Sequence, residues 1–386
     1  MVMNILAFAD DLTGALEVGA KFAGSGILSS VTADLDSVGT AFQGSGRALV
    51  IDTETRHLEP AEARNRLEKL ARQSQAFSPC CIYHKSDSAL RGNIGCEFLG
   101  IMNAYAELPL YYAPAYPQMC RTLREGNVYV GGRLLSETDF AHDRLNPSRQ
   151  SYVPAVLSRD CGLPQIKVIA SSELENARDR AIYVCDAETE SDLKKIAHFL
   201  AGGNRTCLAA GSAGLAEAIA DMIDLPRMQI PVLPPIRTCL VVNGSLHDIS
   251  QRQETFGLRN GFASIESGSL PDTIPAPGWV ILKQGAAGNE APLAVARNTG
   301  KMVRDLVNRL RFDAVLVFGG DTAYGILSAL GRPSVQPLGE AVTGVPVSRF
   351  QFRSKNGGRD LHLISKAGGF GPLEVLPQLY GVLNRG

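Results

Sequence analysis

Three polar segments in the first half of the chain carry side chains that could bind and activate a small polar molecule. Asp10 and Asp11 are adjacent, Arg56 ends the run Asp-Thr-Glu-Thr-Arg, and Lys85–Gly92 reads Lys-Ser-Asp-Ser-Ala-Leu-Arg-Gly. A carboxylate can accept hydrogen bonds from hydroxyl groups or act as a general base, and an arginine can bind a carboxylate through two parallel hydrogen bonds. Together these residue types predict a site for a small molecule that carries hydroxyl groups and a negative charge.

Each segment also has a purely structural explanation. Aspartate is a favoured helix N-cap, so we expect one of Asp10 and Asp11 to cap the helix that follows, but not both. A surface turn explains the run that ends at Arg56 about as well as a ligand site does. Ion pairs within Lys85–Gly92 would account for its charges, although a structural loop seldom needs so many polar residue types.

Three glycine-bearing segments in the second half could hold phosphate groups. They are Asn243–Ser245, Gly319–Thr322 and Ser365–Gly371, and each follows an apolar run. Glycine allows a ligand to approach the backbone closely, and a helix N-terminus offers free N–H groups to an anion. The P-loop motif and the protein-kinase signature set do not occur, and no Rossmann fingerprint stands at a strand-to-helix turn. The combination of the three loops therefore predicts a phosphate site without a named motif.

Ser212 lies in Ala-Ala-Gly-Ser-Ala-Gly, which resembles an incomplete nucleophile elbow of a serine hydrolase. The first glycine of that motif is replaced by Ala210. A tight strand-to-helix turn with Ser212 as the helix cap explains the segment better.

Composition bounds the class of protein. The 386 residues carry a formal net charge of −1, so there is no basic field for nucleic acid or an anionic membrane. The eight cysteines lack any C-x-x-C spacing and are expected to be buried, reduced thiols. Zinc bound by Cys80, Cys81 and His84 is disfavoured, because no second ligand pair follows. The N-terminus has no basic region before its apolar run, which predicts a cytoplasmic protein.

Short apolar runs alternate with helical periodicity, which predicts two α/β domains, each a mainly parallel sheet flanked by helices. The predicted strands are Asn4–Ala9, Arg47–Ile51, Cys80–His84, Leu108–Ala113, Lys167–Ile169, Ala181–Cys185, Thr206–Ala210, Cys239–Asn243, Val280–Lys283, Ala314–Phe318 and Leu361–Ser365. The predicted helices are Leu12–Ala23, Ala61–Gln75, Asn93–Tyr105, Asp192–Leu200, Ala213–Ile223, one from Ile249, Leu293–Leu310, Tyr324–Leu330 and Leu373–Leu383. Val128–Leu135 predicts a hairpin turning at Gly131-Gly132, a candidate lid or dimer contact.

The domain boundary is predicted where four prolines fall between Asp224 and Thr238. Proline removes a backbone donor and disfavours helix. We therefore expect domains at residues 1–225 and 238–386, joined by a proline-rich linker at 226–237.

Taken together, the motifs resemble those of the four-carbon acid sugar kinase family, whose members include D-threonate, D-erythronate and 3-oxo-tetronate kinases. The resemblance covers nearly the whole chain, and the segments that carry it are Ala9–Ala15, the run ending at Arg56, Lys85–Gly95, Ala113–Pro117, Arg121-Thr122, Glu137–Asp143, Ala210–Ala216 and the three glycine loops. Ala89 departs from the family pattern where threonine is usual, and Arg144 departs where proline is usual, so the sugar acid itself stays open.

The resemblance implies an ATP-dependent kinase that phosphorylates a hydroxyl, at the terminal O4, of a small-molecule acid sugar, with Mg²⁺ as the accompanying metal. It implies a site in the cleft between a sugar-binding and a nucleotide-binding domain. The implied substrate-binding residues are Asp11, Arg56, Lys85, Ser86, Asp87 and Ser88. The implied catalytic residues are Asp10, Asp11, Asp87 and Arg91. The implied nucleotide-binding residues are Ser245, Gly319, Gly320, Asp321, Thr322, Lys366 and Gly368. A homodimer, a non-catalytic sugar-acid binding protein and a hydrolase using Ser212 are open alternatives.

Overall fold

The computed structural model describes residues 4–33, 47–142, 147–159, 161–203, 206–269, 271–283, 292–331, 334–354 and 357–385. Asp143 and Arg144, which the motif comparison singles out, lie outside these residues. The chain divides into two compact units, Met1–Ser29 with Ala33–Met228, and Gln229–Gly386 with Ser30–Thr32. We call them the first and the second domain.

The first domain alternates strands and helices. Its strands are β1 (Ile5–Ala9), β2 (Leu28–Thr32), β3 (Arg47–Asp52), β4 (Cys81–Lys85), β5 (Leu110–Ala113), β6 (Arg121–Arg124), β7 (Asn127–Val130), β8 (Arg133–Leu134), β9 (Ile166–Ile169), β10 (Ile182–Cys185) and β11 (Cys207–Gly211). Its α-helices are α1 (Leu12–Gly24), α2 (Pro60–Ser74), α3 (Ile94–Ala104), α4 (Val153–Leu157), α5 (Glu190–Ala201) and α6 (Ala213–Met222).

Eight of these strands form one sheet in the order β2-β3-β1-β4-β11-β5-β10-β9. The pairs from β3 to β9 are parallel. β1 and β4 are buried along their whole length. Central strands of a parallel sheet are covered on both faces, which explains their nearly continuous apolar sequence.

The remaining strands of this domain, β6, β7 and β8, form a small antiparallel sheet. Gly131 and Gly132 have φ of +58° and +79° and connect β7 to β8. This left-handed pair is the two-residue turn that suits the twist of a hairpin. The predicted hairpin is confirmed.

The second domain is a mixed sheet with helices. Its strands are β12 (Cys239–Asn243), β13 (Ala263–Glu266), β14 (Trp279–Lys283), β15 (Ala314–Phe318), β16 (Gln336–Val342), β17 (Val345–Ser354) and β18 (Gly357–Lys366). Its α-helices are α7 (Asp248–Arg259), α8 (Pro292–Arg309), α9 (Gly320–Ala329) and α10 (Val375–Leu383). The strand order is β13-β14-β12-β15-β18-β17-β16, parallel from β13 to β18 and antiparallel beyond.

The predicted fold class is confirmed: both domains have mainly parallel sheets flanked by helices. The predicted strands did not include β2, β6, β13, β16 or β17, and the short helix α4 was not predicted either. In β17 the apolar residues Val347, Phe350 and Phe352 are buried, and the polar Arg349 and Gln351 between them are exposed. This partial alternation is the period-2 signal of an antiparallel strand, and it was present in the sequence.

The cysteine prediction was wrong for one pair. Cys96 in the first turn of α3 and Cys161 after α4 form a disulfide, with 5.7 Å between their Cα atoms. The fold brings these two segments together across 65 residues, and no spacing rule reveals such a contact. Three of the free cysteines are buried, namely Cys81, Cys185 and Cys239.

Within the described ranges, no group of three or more His, Cys, Asp or Glu side chains is arranged to hold a metal ion. A search of the same residues finds no helix with the length and apolar character needed to cross a membrane.

Candidate functional site

The strand register of the first sheet brings the predicted polar segments to one edge. Ala9 at the end of β1 lies opposite both Asp52 and Lys85, and Lys85 lies opposite Gly211. The chain that leaves each of these strands therefore emerges beside its neighbour. In open α/β sheets this carboxyl edge is where ligands bind.

Arg56 joins the two adjacent aspartates. Its Nε and Nη2 donate to Asp10 Oδ2 and Oδ1 at 2.7 and 2.9 Å, and its Nη1 donates to Asp11 Oδ2 at 2.8 Å. Asp11 Oδ1 also accepts from the backbone N–H of Gly14 at 2.9 Å, which makes Asp11 the N-cap of α1. The prediction that one aspartate caps the helix is confirmed.

Asp87 is held by the second arginine. Arg91 Nε and Nη2 donate to Asp87 Oδ2 and Oδ1 at 2.7 and 2.8 Å, and Arg56 Nη2 lies 3.8 Å from Asp87 Oδ1. We call Asp10, Asp11, Arg56, Lys85, Asp87 and Arg91 the carboxyl-edge cluster. Ion pairing within Lys85–Gly92, the structural explanation, therefore does occur, and it links that loop to Arg56.

Lys85 completes the carboxyl-edge cluster from β4. Its Nζ lies 3.4 Å from Glu17 Oε2 on α1. A Cβ atom at Gly14 would lie 2.9 Å from Lys85 Nζ and 2.9 Å from Asp11 Oδ1. Residue 14 must therefore be glycine for the lysine and the capping aspartate to occupy these positions.

Two buried carboxyl groups of the cluster differ in their affinity for protons. Burial raises the pKa of Asp10 to about 6, and the Arg56 guanidinium offsets only part of that cost. Burial also acts to raise the pKa of Asp87, but the charges of Arg91, Arg56 and Lys85 outweigh it and hold that pKa well below its usual value. Asp87 is therefore firmly ionised at neutral pH, whereas Asp10 is within reach of protonation.

Ser86 and Ser88, the two serines predicted to bind the substrate, differ in their burial. Ser86 is fully buried, and its Oγ lies 3.0 Å from the hydroxyl oxygen of Tyr112. Ser88 is half-buried in the same loop.

Ser212 is the N-cap of α6: its Oγ donates to Ala115 O at 2.6 Å and accepts from Gly214 N at 3.1 Å. The cap explanation of Ser212 is thus the one that its contacts support.

A second constellation forms at the carboxyl edge of the other sheet. Phe318 at the end of β15 lies opposite both Asn243 and Lys366. The three glycine-bearing segments therefore leave adjacent strands. We call Gly244–Ser245, Gly319–Thr322 and Lys366–Gly371 the glycine cradle; it contains every residue predicted to bind the nucleotide.

The loops of the cradle touch each other where side chains are missing. A Cβ at Gly244 would lie 1.8 Å from Thr322 Oγ1, and a Cβ at Gly368 would lie 2.1 Å from Ser245 Oγ. Gly319 has φ of +103° and directly precedes α9, whose first turn carries Asp321. The cradle thus combines close backbone approach with a helix N-terminus, the arrangement that accepts phosphate groups.

Both domains match known families. The family model described as a sugar-binding N-terminal domain matches residues 5–219, and that of a nucleotide-binding C-terminal domain matches residues 280–376. The D-threonate kinases of Salmonella typhimurium and Bordetella bronchiseptica are 26% and 27% identical, and each alignment covers at least 94% of both chains. A 3-oxo-tetronate kinase of Pseudomonas fluorescens is 25% identical over 98% of this chain and 96% of its own. The chain belongs to the four-carbon acid sugar kinase family.

Solved structures agree with this assignment at the level of the fold. A Salmonella typhimurium protein superposes with a TM-score of 0.75 at 20% identity, covering 99% of each chain. A Haemophilus influenzae protein of the family DUF1537 superposes with a TM-score of 0.69 at 18% identity, covering 97% of this chain and 99% of its own.

In this family member, Lys366 is placed differently from a typical phosphate-binding lysine. Its side chain is fully buried, and its Nζ donates to the carbonyl oxygens of Ala367 and Phe370 at 2.8 and 2.6 Å. The Nζ also lies 4.6 Å from the centre of the Phe318 ring. Burial lowers the pKa of Lys366 to about 7. In this position the lysine shapes the cradle loop from the inside.

Two further side chains that the sequence reading missed hold the same loop. Ser250 Oγ donates to Gly368 O at 2.5 Å, and Gln253 Nε2 donates to the carbonyl oxygens of Phe370 and Gly371 at 3.0 Å each. Both lie on α7, five and eight residues beyond the Asn-Gly-Ser segment. Only the helical periodicity of polar residues facing that loop could have indicated them.

Proposed function

We propose that this protein transfers the γ-phosphoryl group of ATP to a hydroxyl group, the terminal O4, of a four-carbon sugar acid. Candidate acceptors are D-threonate and 3-oxo-tetronate, because relatives that align over nearly the whole chain carry those names, and D-erythronate, which is the name carried by a relative that aligns over 68% of the chain. The nucleotide-binding description of the second family model supports ATP as the donor.

The observation that carries the proposal is the glycine cradle. Its closest approaches occur at Gly244 and Gly368, where any side chain would collide with Thr322 or Ser245. Phosphate groups need backbone N–H donors at close range, and the N-terminus of α9 adds a favourable dipole. The carbonyl oxygens of the Lys366–Gly371 loop are bound by Lys366, Ser250 and Gln253. The N–H groups of that loop are therefore the backbone face left for a ligand.

The residues of the glycine cradle fit a nucleoside triphosphate, and ATP bound there would supply the phosphoryl group. Mg²⁺ is usually held by one or two protein carboxylates together with the phosphates and water. Asp321, in the first turn of α9, is the cradle carboxylate suited to that role.

The carboxyl-edge cluster would bind and activate the acceptor. Phosphoryl transfer depends mostly on positioning and charge stabilisation. A general base works best when its pKa is near the working pH, which favours Asp10 over the firmly ionised Asp87. The backbone of Gly92 borders the Asp10 carboxylate, since a Cβ at Gly92 would lie 3.4 Å from Asp10 Oδ2. We assign Asp10 the task of orienting and deprotonating the attacking hydroxyl, and Asp11 and Asp87 the task of fixing the two arginines.

A coupled assay of ADP release over D- and L-threonate, D- and L-erythronate and their oxo derivatives tests the proposal. Phosphorus NMR of the product then distinguishes transfer to the sugar acid from hydrolysis of ATP. Turnover with one of these acids is the expected result. Thermal stabilisation by a sugar acid without ADP release would instead identify a binding protein and overturn the kinase assignment.

A further inference from the structure

Arg121, the first residue of β6, and Arg64, on α2, are both arginines of the first domain with a buried and unmatched Nε, and the charge of Arg121 interacts with Asp87 of the carboxyl-edge cluster. Neither Nε has a hydrogen-bond partner among the residues that the structure describes. Arg56 and Arg91, by contrast, each bind an aspartate through two parallel hydrogen bonds. Lys85 lies against Glu17. The cations that looked most suitable for a substrate carboxylate are thus already matched by carboxylates of the protein.

The backbone holds Arg121 firmly. Its N–H donates to Tyr116 O at 3.1 Å, and its carbonyl accepts from Tyr116 N at 2.7 Å. It also pairs with Val130 across the small antiparallel sheet. The side chain therefore starts from a fixed point on a rigid hairpin, which limits the entropy lost when it binds a ligand.

The Arg121 guanidinium packs against an aromatic ring. The guanidinium carbon lies 5.6 Å from the centre of the Phe140 ring, a cation–π contact. A guanidinium donates its hydrogen bonds within its own plane, to acceptors such as carboxylates. Contact with the aromatic ring therefore does not replace the hydrogen bonds that a carboxylate would make.

Arg121 also belongs electrostatically to the carboxyl-edge cluster. Burial lowers its pKa, opposed by the charges of Asp87 and Glu17 and reinforced by Arg91. A buried donor without a partner carries a free-energy cost, which is larger when the donor is charged. Binding an anionic group would remove that cost.

We propose that Arg121 receives the carboxylate of the sugar acid and thereby selects an acid over a neutral polyol. This inference rests on the proposed kinase function and names the group that recognises its substrate class. Arg56 and Arg91 then act by holding Asp10, Asp11 and Asp87 in place. The substrate carboxylate binds at the hairpin end of the site, and its hydroxyl groups extend towards Asp10.

The variants that test this are Arg121→Gln and Arg121→Lys, with Arg124→Gln as the matched control. Arg124 lies on the same strand but is exposed, and its guanidinium carbon lies 4.7 Å from the Tyr129 ring. We would measure the Kd of the best sugar acid by calorimetry without nucleotide, then kcat and KM with ATP, and the Tm of each variant.

A charge-assisted pair contributes about 1.5–3 kcal/mol, so Arg121→Gln should raise the Kd and KM for the acid by about 10- to 100-fold. We expect kcat to be largely retained, Arg121→Lys to be intermediate and Arg124→Gln to match the wild type. The matching neutral tetritol should bind Arg121→Gln as it binds the wild type. An unchanged Kd with a reduced kcat would place Arg121 on the transferred phosphoryl group and overturn the inference. So would an equal loss of affinity for acid and tetritol, the sign of a structural role.

The two levels of the proposal fail separately. If the wild type releases no ADP with any sugar acid, the kinase function is wrong. If the wild type turns over a sugar acid and Arg121→Gln retains its Kd, only the role of Arg121 is wrong. Should Arg121→Gln fail to fold, the Kd of Arg121→Lys decides, because a lysine keeps the charge and loses the paired donors.

Discussion

Adding one methyl group at Gly368 tests the glycine cradle directly. A Cβ at this position would lie 2.1 Å from Ser245 Oγ, 2.9 Å from Ser245 Cβ and 3.0 Å from His247 Cδ2. The neighbouring Gly369 is a matched control, because its Cβ would meet nothing closer than the His247 ring at 3.5 Å. Neither glycine has a left-handed backbone. The two substitutions therefore differ only in the space that is available for the new Cβ atom.

The size of the effect follows from these distances. Contacts of a Cβ atom below 3.0 Å are essentially never found, so Ser245 or the loop must move by about 1 Å in Gly368→Ala. Overpacking of this kind costs about 1–3 kcal/mol, which lowers Tm by about 2–4 °C for each kcal/mol in a domain of this size. A displacement of about 1 Å in a positioning element can cost about 100-fold in rate. We expect the KM for ATP to rise at least tenfold, with little change in the affinity for the sugar acid.

The assay is ADP release at varied ATP and saturating sugar acid, combined with calorimetric binding of ATP. Gly369→Ala should behave as the wild type. Ser245→Gly in the Gly368→Ala background removes both colliding atoms and should restore part of the ATP affinity, with Ser245→Gly alone completing the double-mutant cycle. A Gly368→Ala enzyme with the wild-type KM for ATP would refute the assignment of the cradle to the nucleotide.

The protonation of Asp10 leads to a further expectation: kcat/KM of the wild type should fall about fivefold between pH 6 and pH 5, and Asp10→Asn should lose about 100-fold at pH 7. Because the folded-state pKa of Asp10 is raised, its stabilising contribution is complete below about pH 3.8 and is lost as pH rises through about 6, so the Tm advantage over Asp10→Asn should shrink over that window. Asp52→Asn, at the end of the adjacent strand, is the control and should stay active; a flat pH profile would contradict the role of Asp10. Lys366→Met should raise the KM for ATP, because the cradle carbonyls lose their donor. Because the pKa of Lys366 is lowered in the folded state, the unfolded chain binds more protons than the folded chain between about pH 7 and 10.5. The free energy of unfolding of the wild type should therefore rise with pH in that range, and that of Lys366→Met should not. Equal pH profiles of stability would contradict this. Ser212→Ala should lose about 1 kcal/mol of stability with its helix cap and keep its kinase activity, whereas loss of an ATP-independent hydrolysis would favour the hydrolase alternative.

The sequence predicted which polar segments gather at the carboxyl edge of each sheet, for a definite physical reason. Parallel strands expose their carboxyl ends at one edge, so polar residues that directly follow apolar runs must gather there. That rule drew attention to Asp10 and Lys85, the family resemblance added Arg56, and the register that aligns Ala9 with Asp52 and Lys85 brings their segments together.

The parts that the sequence did not reveal depend on contacts between distant segments. Arg56 and Asp10 are 46 residues apart, and neither local sequence predicts that the two side chains form a bidentate ion pair. Ser250 lies 118 residues from the carbonyl of Gly368 that it binds. The Cys96–Cys161 disulfide is of the same kind. Spacing rules detect partners within a turn or a helix, whereas these pairs exist only once the sheets have formed.

The same physical rule explains why the most suggestive residues were given roles that their contacts do not favour. A buried charge is costly unless an opposite charge and hydrogen bonds compensate it. Arginines and aspartates that gather at a buried sheet edge therefore neutralise each other before any ligand arrives, as Arg56 does with Asp10. Direct contacts to the substrate are then made by groups that have no partner within the protein. In the first domain we assign that role to Arg121, whose Nε has no partner among the described residues, and in the second to the backbone of the glycine cradle, where the missing side chain of Gly368 lets Ser245 pack against the loop. A polar residue that follows a buried strand thus indicates which sheet edge gathers polar groups, and it is a weaker sign of which atoms touch a substrate.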